Sequence, residues 1–493
     1  MARPDPLDPE AIRKNIATKA AKGAVALAVS RPITILANLG GTLILARLLA
    51  PSEYGLVAMV VVFLRFADVF KDMGLGTVTV QREQLEHGQL STLFWINCFI
   101  ALLIGAVFAA CAPLMVAFYD EPRVRNLTYC AAFAFFLGGC SVQHLAILKR
   151  QMRLGSIVAV QLTALVVALA CAIGLAWQGA GPYALIARVM AESVVLLVGY
   201  WILSGFKPDR PSKLGRLRSE LKFGLNLTLS NLMNYLSRQG DNLIVGKLFG
   251  ASALGLYQKS YELMLMPLNH VSRPLGSIAV PSLSRLAGDP ERYRSAYFRM
   301  TDKILLLSTP VAALLCGAPD AVISTLLGDQ WLGAVPMLQG LSLVVFIQPL
   351  SSTTGWLLTT QDRTQEMLRL SVATALINVT SFAVGAFWGP IGVAWAYGLG
   401  QLVRVPGGFW YLCRRGPVRQ RDMYTALITF CSAGAVGTAA ALGAVEVALG
   451  APPIVQLGLA GCAAWFCTWG CLWLIPRGRH ALLDIKKALL LAR

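Results

Sequence analysis

Apolar stretches long enough to cross a bilayer recur along this chain from end to end. They lie near 24–48, 55–77, 92–118, 127–148, 155–178, 182–204, 222–248, 255–283, 300–325, 333–358, 366–388, 390–412, 422–448 and 453–475. A helix needs about 20 apolar residues to span the hydrocarbon core. In lipid every backbone polar group must be satisfied internally, so only helices and closed barrels cross. Runs of this length select helix. The sequence therefore predicts an all-α membrane protein with about fourteen transmembrane helices. Charged residues are 14% of the chain, against about 25% in soluble domains. No soluble domain interrupts the spans, so the membrane-embedded body must carry the function.

Shifted by 200 residues, the chain partly matches itself. Gly40–Leu56 reads GGTLILARLLAPSEYGL and Gly240–Leu256 reads GDNLIVGKLFGASALGL. Gly40/Gly240, Leu43/Leu243, Ile44/Ile244, Leu48/Leu248, Ser52/Ser252, Gly55/Gly255 and Leu56/Leu256 are identical, and Arg47/Lys247 is conservative. Upstream, Arg31, Thr34 and Asn38 share their offsets with Asn231, Asn234 and Arg238. Positions i, i+3 and i+7 lie on one helical face, so each copy is an apolar helix with one polar stripe. Duplication of this kind in an apolar chain is the pattern of a transporter built from two similar halves.

The net charge of +18 could suggest nucleic acid, but its placement says otherwise. With the N-terminus in the cytoplasm, most basic residues fall on the cytoplasmic side. They include Lys14, Lys19 and Lys22 before the first span, Lys71 and Arg82 after the second, and Lys149, Arg150 and Arg153 after the fourth. Arg47, Arg123, Arg125 and Lys247 fall on the other side. This is the positive-inside bias, with both ends cytoplasmic, and it makes most of the charge topology rather than ligand. Residues 9–22 read as a basic amphipathic helix on the inner leaflet, and 207–222 as a basic surface connector between the halves.

The eleven cysteines fall almost entirely within spans and read as small buried thiols. The histidines His87, His144, His270 and His480 are scattered. No metal set, Walker motif or nucleophile–base pair is visible, so neither a cofactor nor ATP-driven or enzymatic chemistry is expected.

What remains are charges inside spans: Arg31, Arg65, Arg188, Arg238, Lys259, Arg273 and Arg404, with Asp68, Asp72, Glu192, Asp241, Glu262 and Asp320. Each costs about 3 kcal/mol or more at the bilayer centre unless it faces a cavity or a partner. Their spacing is helical. Gly255, Lys259, Glu262, Asn269 and Arg273 form one stripe; Arg65, Asp68 and Asp72 another; Asn231, Asn234, Arg238 and Asp241 a third. These faces are expected to line one hydrated central cavity that is cationic on balance. The alternative is internal pairing: Arg188 with Glu192, Lys259 with Glu262, Arg65 with Asp68. A cationic, Asn-rich cavity suits an anionic ligand with many hydroxyls, because arginine forks match phosphate oxygens and asparagine pairs with sugar hydroxyls.

The segment Ala253–Asn269 (ALGLYQKSYELMLMPLN) resembles the one after the seventh helix of Wzx-type polysaccharide flippases. These belong to the multidrug/oligosaccharidyl-lipid/polysaccharide exporter superfamily. Leu45–Gly55 (LARLLAPSEYG) resembles the turn between helices one and two of that superfamily. The general layout matches over nearly the whole chain, and the motifs over about 29–80 and 222–300.

The resemblance implies two pseudo-symmetric six-helix lobes plus two C-terminal helices. Its boundaries here would be a basic segment 1–23, an N-lobe 24–206, a connector 207–221, a C-lobe 222–412, and helices 13–14 with a cytoplasmic tail over 413–493. It also implies transfer of undecaprenyl-pyrophosphate-linked oligosaccharide from the inner to the outer leaflet of the bacterial cytoplasmic membrane. The expected mechanism is alternating access. By position, pyrophosphate binding would fall on Arg31, Arg65, Arg238, Lys259 and Arg273. Asn38, Asp68, Asn231, Asn234, Asp241 and Glu262 would complete the cavity, with Tyr257 and Tyr261 against sugar. The lipid tail would use a groove formed with the last two helices. Implied partners are membrane lipid, the lipid-linked oligosaccharide and a polysaccharide polymerase or export machinery, with no nucleic acid. The other readings are a lipid II or drug exporter of the same fold, or a membrane glycosyltransferase or polymerase.

Overall fold

The computed structural model describes residues 16–71, 74–82, 86–211, 240–268 and 272–491. Asp72, Asn231, Asn234, Arg238, Asn269 and His270 lie outside the described residues, and Arg273 is described by its backbone alone. Every regular element among the described residues is helical. Ten stretches are long and apolar enough to cross a membrane, and one of them, Gln365–Cys413, holds two helices. The protein is an all-α, multi-pass membrane protein. Two compact units divide it, Met1–Ser252 and Ala253–Arg493.

The first unit contains α1 (Ile16–Leu48), α2 (Pro51–Lys71), α3 (Leu75–Gln81), α4 (His87–Ala110), α5 (Ala112–Tyr119), α6 (Val124–Arg150), α7 (Leu154–Trp177) and α8 (Pro182–Ser204). Its last residues enter α9 (Gly240–Pro267). Pro51 separates α1 from α2: a residue before proline is pushed out of the α region, and proline fits the first helical position. Glu53 in that first turn accepts the Ala50 N–H at 2.7 Å. In the second copy of the repeat α9 bends at Gly250, where φ is 76°, a left-handed conformation that glycine adopts at little cost. The two copies thus break at the same offset, one by proline and one by glycine. They also touch, since a Cβ on Gly55 would collide with the Ala251 carbonyl.

α6 is the central helix of this unit, with α4, α8, α2 and α3 against it. Its C-terminal end is tied down by side chains. Arg150 donates to the Thr79 and Arg82 carbonyls, and Arg153 to Leu203 O at 2.6 Å. Buried His144 Nδ1 meets Ser204 Oγ at 2.8 Å and stacks on Trp201 at 4.7 Å. Beyond Ser204 the chain is strapped to α4. Asp209 N–H donates to Ser91 Oγ at 3.0 Å, Trp95 Nε1 donates to Asp209 O at 2.9 Å, and Phe206 is buried.

The second unit continues α9 and adds α10 (Arg273–Ser284), α11 (Pro290–Gly317), α12 (Pro319–Leu326), a 3-10 turn (Asp329–Ala334), α13 (Val335–Thr360), α14 (Thr364–Gly385) and α15 (Gly389–Cys413). α16 (Gln420–Val447), α17 (Pro453–Leu474) and α18 (Pro476–Leu491) complete it. The single helix expected over 255–283 is thus described as two, α9 and α10. α11 is central here, packing against α13, α16 and α17. Ala313, Ala318, Ala321, Ala441, Ala460 and Ala464 form one buried cluster. Small side chains let membrane helices approach closely, where van der Waals packing rather than hydrophobicity drives association.

The alanine face also explains a departure from the sequence reading of the thiols. Ala460, Ala464, Thr468 and Leu472 are the buried stripe of α17, so Cys462 and Cys467 fall on its outer face and are exposed. Arg477, opening α18, grips Asp302 of α11 with Nε and Nη2 at 2.9–3.2 Å.

Candidate functional site

α2, α3, α6 and α8 enclose a cavity of about 690 Å³ within the first unit, with Arg65, Asp68, Lys71, Lys149 and Glu192 in its walls. Among the described residues, three cations thus face two carboxylates in these walls. Arg65, Asp68 and Lys71 share a face of α2, being spaced i, i+3 and i+6. Lys71 Nζ lies 2.5 Å from Asp68 Oδ1, while Arg65 Nη1 lies 3.9 Å from Oδ2. The Lys71 ammonium also sits 5.0 Å from the centre of the Phe135 ring, an attraction worth about 0.5–1 kcal/mol at a partly exposed site. The carboxylate of Asp68 is therefore largely committed to Lys71, which leaves the Arg65 guanidinium, with its side chain 68% exposed, open to the cavity.

Lys149 and Glu192 are exposed and form no ion pair among the described residues. The pairing of Arg188 with Glu192, one of the alternatives the sequence left open, is not made. Arg188 Nη2 instead donates to Asn38 Oδ1 at 2.8 Å, and Asn38 Nδ2 donates to Thr34 O at 2.9 Å. Asn38 is thereby a fixed bridge between α1 and α8. Arg31, about two turns before it, is exposed on α1.

On α9 the internal pairing does occur. Lys259 Nζ lies 2.7 Å from Glu262 Oε2, and the Lys259 side chain is 8% exposed. Asp241 is buried and accepts the Asn242 N–H at 2.8 Å. Tyr257, expected against sugar, is instead fully buried. It stacks on Tyr261 at 6.1 Å, and Tyr261 meets Tyr397 at 6.2 Å, so these rings are core packing between α9 and α15. Arg404 donates to Gln401 Oε1 at 2.9 Å, and Gln401 in turn to Asn378 Oδ1 at 2.9 Å. Asp320 sits exposed in the first turn of α12.

The sequence reading missed Lys71 and Lys149, which it assigned to membrane sidedness. The signal was present in the spacing: Ser141, Leu145 and Lys149 follow i, i+4 and i+8 along α6 and all line the cavity. Outside the spans, Glu121 forms a side-chain pair with Arg123 at 2.9 Å, and that guanidinium holds its carboxyl below the usual carboxylate range. No group of three His, Cys, Asp or Glu suited to a metal occurs among the described residues.

The profile of the polysaccharide biosynthesis protein family matches residues 44–336, more than half of the chain. The chain belongs to this family. As a polysaccharide biosynthesis protein it is 25% identical to the teichuronic acid biosynthesis protein TuaB of Bacillus subtilis (strain 168), over 70% of this chain and 72% of that protein. It is 22% identical to the lipopolysaccharide biosynthesis protein WzxC of Escherichia coli (strain K12), over 78% and 79%. Its fold is that of the lipid II flippase MurJ in an inward closed conformation. The TM-score is 0.69 at 13% identity, covering 92% of this chain and 99% of the other. An inward-facing multidrug resistance transporter of the MATE family follows at TM-score 0.62 and 15% identity, covering 82% and 98%. The expected likeness to polysaccharide biosynthesis proteins is met in the sequence family, and the expected fold in the solved structures.

Proposed function

We propose that this polysaccharide biosynthesis protein is a flippase. It carries undecaprenyl-diphosphate-linked oligosaccharide from the inner to the outer leaflet of the bacterial cytoplasmic membrane, by alternating access. The observation that carries the reading is the excess of cations in the cavity of the first unit. Free-facing Arg65 and Lys149 offer donors to diphosphate oxygens, arginine through a planar fork and lysine as a point charge. Ser141 and Ser193 in the same walls suit sugar hydroxyls. Arg31, exposed on α1, supports the same anion chemistry.

The relatives' names support the substrate class, because teichuronic acid and lipopolysaccharide are both sugar polymers. The process is translocation, with no bond made or broken, and the termini are assigned to the cytoplasm by the basic bias of the sequence. A cationic drug would meet repulsion from Arg65, Lys71 and Lys149, which argues against drug efflux. The test is genetic. Deletion of the gene should abolish the surface polysaccharide and accumulate lipid-linked oligosaccharide on the cytoplasmic leaflet. Accumulation of unlinked or truncated sugar instead would point to an enzymatic role.

A further inference from the structure

Arg404 lies within the apolar stretch Gln365–Cys413, in the helix pair α14 and α15 of the second unit. At 1.5 Å per residue it stands about 22 Å along α15 from Gly389 and about 14 Å from Cys413, near mid-span. The two helices approach closely: a Cβ on Gly385 would meet the Gly392 carbonyl, and one on Gly400 the Ser381 hydroxyl. That register sets Gln401 and Arg404 of α15 opposite Asn378 and Thr374 of α14. Arg404 Nε donates to Gln401 Oε1 at 2.9 Å, and Gln401 Nε2 donates to Asn378 Oδ1 at 2.9 Å. Arg404 Nη1 reaches Thr374 Oγ1 at 3.5 Å. Gln401 is buried, so the guanidinium is fixed from its Nε side, while Arg404 itself stays partly exposed.

Among the described residues no carboxylate pairs with this charge. α13 has no charged residue, and within α14 the charges are Glu366 and Arg369. Glu366 is held by Arg363 at 2.6 Å, and Glu262 of α9 by Lys259 at 2.7 Å. α16 carries its acids at its ends, Asp422 and Glu446. Residues 269–271 and 492–493, which lie outside the described residues of this unit, contain no Asp or Glu. A lone charge at this depth is costly unless it faces a partner or a ligand, and it marks a functional site by default.

We propose that this cluster binds the carboxylate of an acidic sugar in the glycan being carried, which rests on the reading of the protein as a flippase. One guanidinium fork balances one negative charge and matches the two oxygens of a carboxylate. The Asn378 amide and the Thr374 hydroxyl beside it suit the hydroxyls of the same sugar ring. A diphosphate carries two charges and calls for at least two cations, as the walls around Arg65 provide. Membrane phospholipid does not fit either, because its phosphate lies beyond a hydrocarbon core about 30 Å thick rather than near its middle. Arg404 thereby selects among glycans. A sugar of the uronic acid type fills the site, and a neutral one leaves the guanidinium without a counter-charge.

The experiment is leaflet transfer by the purified full-length protein in liposomes, comparing two undecaprenyl-diphosphate disaccharides. One ends in glucuronic acid and the other in its methyl ester, which nearly keeps the size and removes the charge. A membrane-impermeant quencher of a label on the inner sugar reports the leaflet. Wild type should move the acid about tenfold faster than the ester, or more, at low substrate concentration. In Arg404→Gln that ratio should fall to near one, and Arg404→Lys should keep a reduced preference. Equal wild-type rates for acid and ester would overturn the proposal and leave the flippase reading standing, with no variant needed. A preference that persists in folded, monodisperse Arg404→Gln, even with both rates lowered, would make Arg404 structural and overturn the assignment. Transfer of neither probe by wild type would refute the flippase reading and this one with it.

Discussion

Arg188 donates to the side-chain oxygen of Asn38 across 150 residues of sequence, at 2.8 Å. That bond decides the character of the cavity, because it removes the one arginine that the spacing along α8 would have given to Glu192. It also ties α8 to α1, the helix that carries the first copy of the polar stripe. Replacing either partner should loosen this bridge. A double-mutant cycle of Arg188→Gln and Asn38→Ala should show coupling of about 1 kcal/mol, within the range for polar contacts between membrane helices. Additive effects on unfolding in detergent would mean that the bond contributes nothing.

Gly55 and Gly250 occupy the two copies of the repeat and should respond differently to the same change. A methyl group on Gly55 would collide with the Ala251 backbone, whereas nothing stands within 4 Å of one on Gly250. Gly250→Ala should cost about 1 kcal/mol from its left-handed backbone alone. Gly55→Ala should cost more, about 1–3 kcal/mol or above, because backbone must shift. Equal thermal stabilities for the two variants would contradict the close approach.

The grip of Arg477 on Asp302 is a two-pronged ion pair outside the cavity, with side chains 18% and 13% exposed. Removing one partner of a buried pair strands the other, at a cost of about 3–5 kcal/mol. Asp302→Ala should therefore lower the melting temperature markedly more than Arg292→Ala, whose pair with Asp289 is at 3.4 Å with the arginine side chain 80% exposed. Similar losses for the two would show that the α18 anchor is dispensable.

The strap beyond Ser204 makes a prediction about motion. Ser91→Ala and Trp95→Phe each remove one hydrogen bond to the Asp209 backbone. Amide hydrogen exchange over 206–210 should speed up in either variant and most in the double one. Unchanged protection would mean that the burial of Phe206 and the contact of Asp209 with His87 hold this segment without them.

The helical membrane fold was legible because apolar runs of spanning length admit few structures. The repeat was legible too, and its copies break at equivalent places, Ala50 just before Pro51 and Gly250. The pairings were only partly legible. Asp68–Lys71 and Lys259–Glu262 are i, i+3 neighbours on one helix, so spacing alone can suggest them. The partner of Arg188 comes from another helix, and no spacing reveals it. Tyr257 was expected against sugar from its place in the Ala253–Asn269 segment. It is fully buried all the same, with its ring stacked on that of Tyr261. Lys71 and Lys149 sit at helix ends, where basic residues ordinarily mark sidedness, and only the packing of α2 on α6 shows that they also line the cavity.

On this reading the cavity around Arg65 carries a diphosphate-linked sugar across the membrane. The measurement that tests it most directly uses purified protein in liposomes with labelled undecaprenyl-diphosphate oligosaccharide. A membrane-impermeant glycosidase reports which leaflet holds the sugar. Transfer between leaflets should depend on the protein and fall at least tenfold in Arg65→Gln and Lys149→Gln while both variants remain folded and inserted. Transfer at wild-type rates by both variants would contradict it.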